Sequence, residues 1–237
     1  VDCLKYTSVV NPHARISAEI DGEVFTFDRV SHDPIPVPCP IQPHPHGIEL
    51  GLLKRMAGES ALPLDRFLVE SFSRVGKKAA EEILAKAELA KSKKAKALTG
   101  DELKALLTAM QSVAIPAPPT SQCLSPIGEE LMRKSLDKEF QLDFVKAKPR
   151  PPSVYSGHPF VVEAAIGYGG RLSAEDKAMS LRFANRVPLM YQQGACAITQ
   201  AVAGVNWRNY GISQDGLPVG PALILVHVAS TNVPFTS

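Results

Sequence analysis

Six prolines fall between Asp33 and Gly47 in the stretch HDPIPVPCPIQPHPHG. Proline fixes φ, lacks an amide hydrogen and pushes the residue before it toward extended geometry, so no helix runs through this stretch. It reads as a linker that cuts the chain into a short leading part and a long trailing part. At 237 residues with 45% apolar content, the chain holds one large domain or two small ones. Cys39, His44 and His46 lie inside the linker. They invite a metal-site reading, but no fourth ligand stands at a usual spacing, and the expectation is a structural or solvent-exposed role.

Ahead of the linker, residues 1–30 read as extended. ARISAEIDGEVFTFDRV alternates apolar positions on either side of Asp21-Gly22, a dipeptide that closes hairpins.

Behind the linker, residues 47–115 read as four short helices. Ile48, Leu52, Leu53 and Met56 share one face, as do Leu64, Phe67, Leu68 and Phe72. Ala79, Ala80, Ile83, Leu84 and Ala87 form a narrow third stripe, and Leu103, Leu106, Leu107 and Met110 a fourth. The fourth helix opens with a capping box in which Thr99 caps and Glu102 sits at the third helical position. Between the second and third helices, Gly76 permits a tight turn and Arg74, Lys77 and Lys78 cluster at a helix N-terminus. Two readings stand for these cations: a site for a phosphate backbone, or a solvated first turn. The run KSKKAK, 91–96, reads as an exposed loop.

Residues 116–237 alternate strands and helices. SPIGEELMRKSL starts a helix with Ser125 as cap and Pro126 as first residue. A strand follows across Phe160 to Ile166, ended by Gly169-Gly170; MSLRFANRVPLMY supplies another strand and QQGACAITQAVAGV a helix. PALILVHVAS is a wholly apolar strand, which implies cover on both faces and an α/β layer structure. His227 inside it reads as a satisfied core histidine rather than a ligand.

Charge and motifs exclude more than they assign. The formal net charge of +2 is too small to diagnose a nucleic-acid binder, and the basic excess within 43–115 is modest. Cys3, Cys39, Cys123 and Cys196 lie far apart with no C-x-x-C pair, as expected of free thiols in a reducing compartment. With no long apolar run and no secretory signal, the expectation is a soluble intracellular protein. The chain opens at Val1 without methionine and reads as an excised fragment. Nucleotide-binding glycine loops, a nucleophile elbow and a zinc-protease helix motif are all missing. From residues alone, the function stays open.

Four segments carry a resemblance: HPHGIELGLLKRM, RPPSVYSGHPFVVEAAIGYGG, RFANRVPLMYQQGACAITQAV and LPVGPALILVHVASTNVPFTS. Together they closely resemble the B-subunit family of DNA topoisomerase VI, over nearly the whole chain. The resemblance implies an α+β fold. A small helical domain of the helix-two-turn-helix type, 47–115, follows a Pro-rich linker, 31–46. An α/β transducer domain with a left-handed β-α-β crossover comes next, 116–237, and residues 1–30 are the last strands of an ATPase domain. It implies a parent enzyme that couples ATP binding and hydrolysis, with Mg2+, to passage of one DNA duplex through another and relaxation of supercoils. The implied partners are duplex DNA, the A subunit of topoisomerase VI and a second copy of the B subunit, with no membrane. The implied location is the cytoplasm and its nucleoid in an archaeon or bacterium, and the nucleus in a eukaryote.

The resemblance leaves the fragment itself inactive. Most of the ATP pocket lies upstream of Val1, so no catalytic residue, metal ligand or bound cofactor is expected here. The family's transducer carries a switch lysine that reaches the nucleotide's γ-phosphate, and the matching position in STNVPFTS is Asn232. A neutral amide donates a hydrogen bond to phosphate but lacks the ionic attraction, so nucleotide sensing is expected to be weakened. Arg74, Lys77 and Lys78 are the candidates for touching DNA. Residues 150–170 read as a rigid hinge-and-strand element of a lever, in which changing Gly157 or Pro159 should uncouple ATP turnover from strand passage. Two alternatives stay open: a DNA-binding helical module carried by a passive transducer, and a divergent relative of the B subunit without full ATPase function. A MutL-like repair protein would lack the helical module at 47–115.

Overall fold

The computed structural model describes residues 1–120 and 122–233. Its elements, numbered along the chain, begin with helix α1 (Asp2–Val10) and strands β1 (Ile16–Ile20) and β2 (Glu23–Phe27). Helices α2 (Leu50–Glu59), α3 (Leu64–Ser71), α4 (Lys77–Lys86), α5 (Gly100–Ser112) and α6 (Glu129–Phe140) follow. Then come β3 (Phe144–Pro149), β4 (Ser153–Tyr155), β5 (His158–Tyr168), β6 (Met179–Ala184), β7 (Val187–Pro188) and α7 (Ala197–Ala203). Short strands β8 (Gln214–Asp215) and β9 (Leu217–Pro218) precede the long β10 (Ala222–Ser230). The chain separates into a helical unit, Pro38–Cys123 with Ser153–Phe160, and a sheet unit made of the remainder.

In the helical unit, all four apolar stripes point into one core. Leu53, Leu64, Phe67, Leu68, Phe72, Ile83, Leu84, Leu106 and Met110 are fully buried there, and the rings of Phe67 and Phe72 meet edge to face at 5.6 Å. The capping box of α5 forms as expected: Thr99 Oγ1 accepts from the Glu102 amide, and Glu102 Oε2 accepts from the Thr99 amide at 2.8 Å. The loop 91–96 is not simply exposed. Lys93 pairs with Glu102, Lys91 Nζ lies 2.8 Å from Glu81 Oε1, and Ala95 is buried, so three anchors tie the lysine run down. Gly76 does not use glycine's freedom either; its φ is −90°, and the left-handed residue of that turn is Arg74, at φ +62°.

The histidines of the Pro-rich stretch are structural. His44 is buried; its Nδ1 accepts from the His46 amide at 3.2 Å, which leaves Nε2–H to donate to the Pro116 carbonyl at 3.0 Å. His46 Nε2 donates to the Val113 carbonyl at 2.8 Å and His158 Nε2 to the Gly47 carbonyl at 3.1 Å. Burial, opposed by the bond to Pro116, lowers the His44 pKa. Cys39 is exposed, and among the described residues no group of His, Cys, Asp and Glu converges as a metal site.

The sheet unit is built on the strand order β3-β5-β10-β6-β7. β10 and β6 run parallel from Leu223 opposite Met179 to Val228 opposite Ala184, with α7 on the connection between them. β3 pairs antiparallel with β5, Phe144 opposite Tyr168 and Lys148 opposite Ala164. Both faces of β10 are covered, as its unbroken apolar sequence requires. Leu223 and Leu225 pack with Met132, Leu136 and Phe140 of α6 and with Val9 and Val10. Ala222, Ile224 and Val226 pack with Val202 of α7 and with Trp207.

Two local expectations fail in this unit. Residues 2–10 are helical, not extended, because Tyr6, Val9 and Val10 form a stripe of helical period packed into the α6 core. The hairpin that follows does form, with Asp21 and Gly22 at φ +52° and +81°. Helix α6 starts at Glu129 with Gly128 as its cap, at φ +91°, so neither Ser125 nor Pro126 occupies a capping position. The group that satisfies this end is the Glu163 carboxylate of β5, which accepts the Ile127 and Gly128 amides. Among the described residues, no helix is long and apolar enough to cross a membrane.

Candidate functional site

The sequence FANRVP places two residues, Asn185 and Arg186, between β6 and β7. Both are left-handed, at φ +46° and +63°, which is the geometry of a two-residue hairpin turn whose twist suits its flanking strands. Asparagine tolerates this region better than most residues. Arginine has no such preference, and its side chain explains why it is there.

Asn185 clips the end of β10. Its amide donates to the Val228 carbonyl at 2.8 Å; its Oδ1 accepts from the Ser230 amide at 2.9 Å, and its Nδ2 donates to the Ser230 carbonyl at 3.0 Å. The side chain thus imitates the backbone of a neighbouring strand and extends the ladder to the last residue of β10. Two residues further on lies Asn232, exposed, its amide donating to Ser230 Oγ at 3.2 Å. The rest of the expected sensing loop, 234–237, lies outside the described residues.

Arg186 reaches the other way. Its guanidinium donates to the Val10 carbonyl at 3.3 Å, at the end of α1, and to the Pro126 carbonyl at 2.9 Å and Ser125 Oγ at 3.4 Å, before α6. Its own carbonyl accepts from Asn11 Nδ2 at 3.3 Å. Its amide donates to His227 Nε2 at 3.1 Å. Burial depresses the guanidinium pKa, against the favourable charge of Glu163. The Nε atom meets no acceptor among the described residues.

Behind the turn sits a polar pair in the core. Because His227 Nε2 accepts the Arg186 amide, its ring proton is on Nδ1, which donates to Glu163 Oε2 at 2.8 Å. Glu163 also accepts the Ile127 amide at 2.8 Å and the Gly128 amide at 2.7 Å, and so closes the N-terminus of α6. Burial opposes ionisation of this carboxyl, but the bonds from His227, Ile127 and Gly128 outweigh it and hold its pKa below the ordinary value. His227 is the satisfied core histidine its sequence context implies. Glu163, Asn185 and Arg186 escape a sequence reading; the legible signals are an acidic residue inside the apolar strand FVVEAAI and the turn dipeptide Asn-Arg.

The second candidate lies in the helical unit. Val75 and Phe72 are buried and the Ser73 amide donates to the Pro43 carbonyl at 3.0 Å, so the turn before α4 is pinned from below. Arg74, Lys77 and Lys78 project from it, all exposed. No side chain caps α4 at Gly76, which leaves its first amides pointing outward beside three cations. The described ion pairs of this unit, Arg66–Glu70, Lys86–Glu82, Lys91–Glu81, Lys93–Glu102 and Lys104–Asp101, leave all three out. The structure thus gathers these three residues at one turn, while Asn232 belongs to the other unit.

Comparison with known proteins bears on both sites. A family model described as topoisomerase VI B subunit, transducer, matches residues 119–237. The chain is 54% identical over 239 residues to the B subunit of type 2 DNA topoisomerase 6 from Methanococcoides burtonii, covering 99% of this chain and 38% of that one. It is 50% identical to the protein of the same description from Archaeoglobus fulgidus, covering 99% and 39%, and 34% identical to that from Metallosphaera sedula, covering 99% and 44%. The chain therefore spans about two fifths of the length of these relatives.

Proposed function

Since the chain belongs to the topoisomerase VI B-subunit family, we propose that it is the coupling segment of a larger polypeptide that ties ATP binding and hydrolysis to duplex passage and relaxation of supercoiled DNA. On this reading residues 47–115 are the helix-two-turn-helix domain, residues 116–237 are the transducer with a left-handed β6-α7-β10 crossover, and residues 1–30 close the ATPase domain. The partners are duplex DNA, the A subunit of the enzyme and a second copy of the B subunit. The parent acts in the cytoplasm on the chromosome. ATP and Mg2+ belong to the longer parent; among the described residues no carboxylates or histidines converge on a magnesium site.

One observation carries the proposal. Asn185 holds the strand end that leads to Asn232, while its neighbour Arg186 holds the end of α1, the segment before α6 and His227. A displacement of the Asn232 loop is therefore transmitted through one two-residue turn to two other elements of a packed unit, the end of α1 and the segment before α6. Packed units shift between discrete arrangements instead of stretching, which is what a lever needs.

The test is Asn185→Asp in the full-length parent, assembled with its A-subunit partner. Aspartate keeps the left-handed tolerance and the acceptor but removes the donor to the Ser230 carbonyl. Relaxation of supercoiled DNA should fall several-fold more than ATP turnover. Equal loss of both would sink the coupling role. The divergent reading, a B-like protein without full ATPase function, is favoured only by the neutral Asn232. Asn232→Lys should tighten ATP binding, and unchanged affinity would remove Asn232 from the nucleotide path.

A further inference from the structure

The outward face of β3 and β5 has no role in the coupling network, yet its composition is unusual. Along β3 the outward positions are Phe144, Lys146 and Lys148, and Arg150 continues the row, its amide donating to the Val162 carbonyl at 2.8 Å. The inward positions, Val145 and Ala147, pack into the α6 core. Across the ladder Tyr168 stands opposite Phe144, Ile166 opposite Lys146 and Ala164 opposite Lys148. All of these outward residues are exposed, Phe144 at 56%, Tyr168 at 48% and Ile166 at 41%.

Lysines and a proline on an edge strand are a common guard against sheet-to-sheet aggregation. That accounts for the cations but not for two exposed aromatic rings and an isoleucine on the same face, since contiguous exposed apolar surface marks a site of contact. Acidic neutralisation is slight. Lys146 Nζ lies 3.3 Å from Glu129 Oε1, both exposed, and none of the described ion pairs includes Lys148 or Arg150. Three cations thus repeat every second residue of an extended strand, about 6.7 Å apart. An aromatic pair stands at the end of the row.

The geometry points to a binding surface for single-stranded nucleic acid, and we propose that this face is one. The row Lys146-Lys148-Arg150 tracks successive phosphates of an extended strand, and Phe144 and Tyr168 give bases a surface to stack on. A cationic track beside aromatic platforms on a sheet face is the arrangement by which single strands are held without sequence preference. Duplex backbone winds away from a straight row, so the face suits a single strand better. The proposal concerns a different surface from the Arg74 turn.

The test is fluorescence anisotropy of the 237-residue chain with an oligothymidine and with a duplex of equal length, across a salt series. Replacing Lys146, Lys148 and Arg150 by Gln, and separately by Glu, should weaken oligothymidine binding about tenfold or more at low salt. It should also lower the salt slope by about 2, the value expected for three phosphates on a single strand. Phe144→Ala with Tyr168→Ala should weaken binding about thirtyfold or more with the slope unchanged. Circular dichroism of each variant checks that the sheet is intact; the Gln set keeps the experiment decisive if the Glu set unfolds. Oligothymidine binding that the Gln set leaves unchanged overturns the proposal. So does equal competition by polyglutamate, which would mark a general polyanion face, and so does tighter duplex binding through the same residues.

Discussion

Glu163 and His227, on neighbouring strands of the sheet, are both fully buried and joined by a 2.8 Å hydrogen bond from Nδ1–H to the carboxylate. The pair is satisfied on every side, by the Ile127 and Gly128 amides at one end and the Arg186 amide at the other. It is a joint between strand, helix end and turn. A buried polar network of this kind is costly to break and fixes the relative positions of the parts it joins.

The joint makes stability depend on acidity. The Glu163 carboxyl titrates below its ordinary value of 4.5 in the fold, so the unfolded chain binds its proton more readily. The stabilisation is complete above that ordinary value and is lost as pH falls through the lower folded value. Urea unfolding from pH 7 to pH 3 should therefore show stability dropping on the acid side of about 4.5. Glu163→Gln should lower stability at pH 7 by about 1–3 kcal/mol and flatten that drop. Parallel acid profiles for the two proteins would show that Glu163 is not the group responsible.

Gly157 joins the tip of the β4–β5 hairpin to the Pro-rich stretch. Its φ is +75°, and a Cβ there would meet the Gly47 amide nitrogen at 2.8 Å and His44 Nδ1 at 2.9 Å. Gly157→Ala combines backbone strain with a clash against backbone, and should cost about 2–3 kcal/mol. Gly22→Ala is the control, with the same sign of φ but nothing within 4 Å of the new Cβ, and should cost about 1 kcal/mol. Thermal unfolding of both variants decides it. Equal losses would mean that packing against His44 and Gly47 contributes nothing.

The basic turn should bind duplex DNA through phosphates. Arg74, Lys77 and Lys78 present three charges beside uncapped amides, and replacing all three by Glu should reduce the salt slope of duplex binding by about 3. Anisotropy with a short duplex measures this. A slope unchanged by the triple substitution would leave these residues as a solvated first turn.

What the sequence determined by itself are features whose partners lie close along the chain. The four apolar stripes between 48 and 110 need only helical periodicity, the Asp21-Gly22 hairpin needs two residues that accept positive φ, and the Thr99–Glu102 box spans one helical turn. Each interaction is local, so a short window of sequence contains all of it. The apolar run of β10 announced cover on both faces for the same reason. Tertiary structure decided the rest. Helix α6 starts at Glu129 because Glu163, far along the chain, supplies the acceptor for the two amides before it, and no local rule points there. Residues 2–10 become a helix because α6 offers Tyr6, Val9 and Val10 a surface to bury. Arg74 and Arg186 hold left-handed backbone against their own preference, Arg186 because four long-range hydrogen bonds repay it. The network around Asn185 and Arg186 is made entirely of such contacts: its residues are scattered through the sequence, and only the packed sheet unit brings them together.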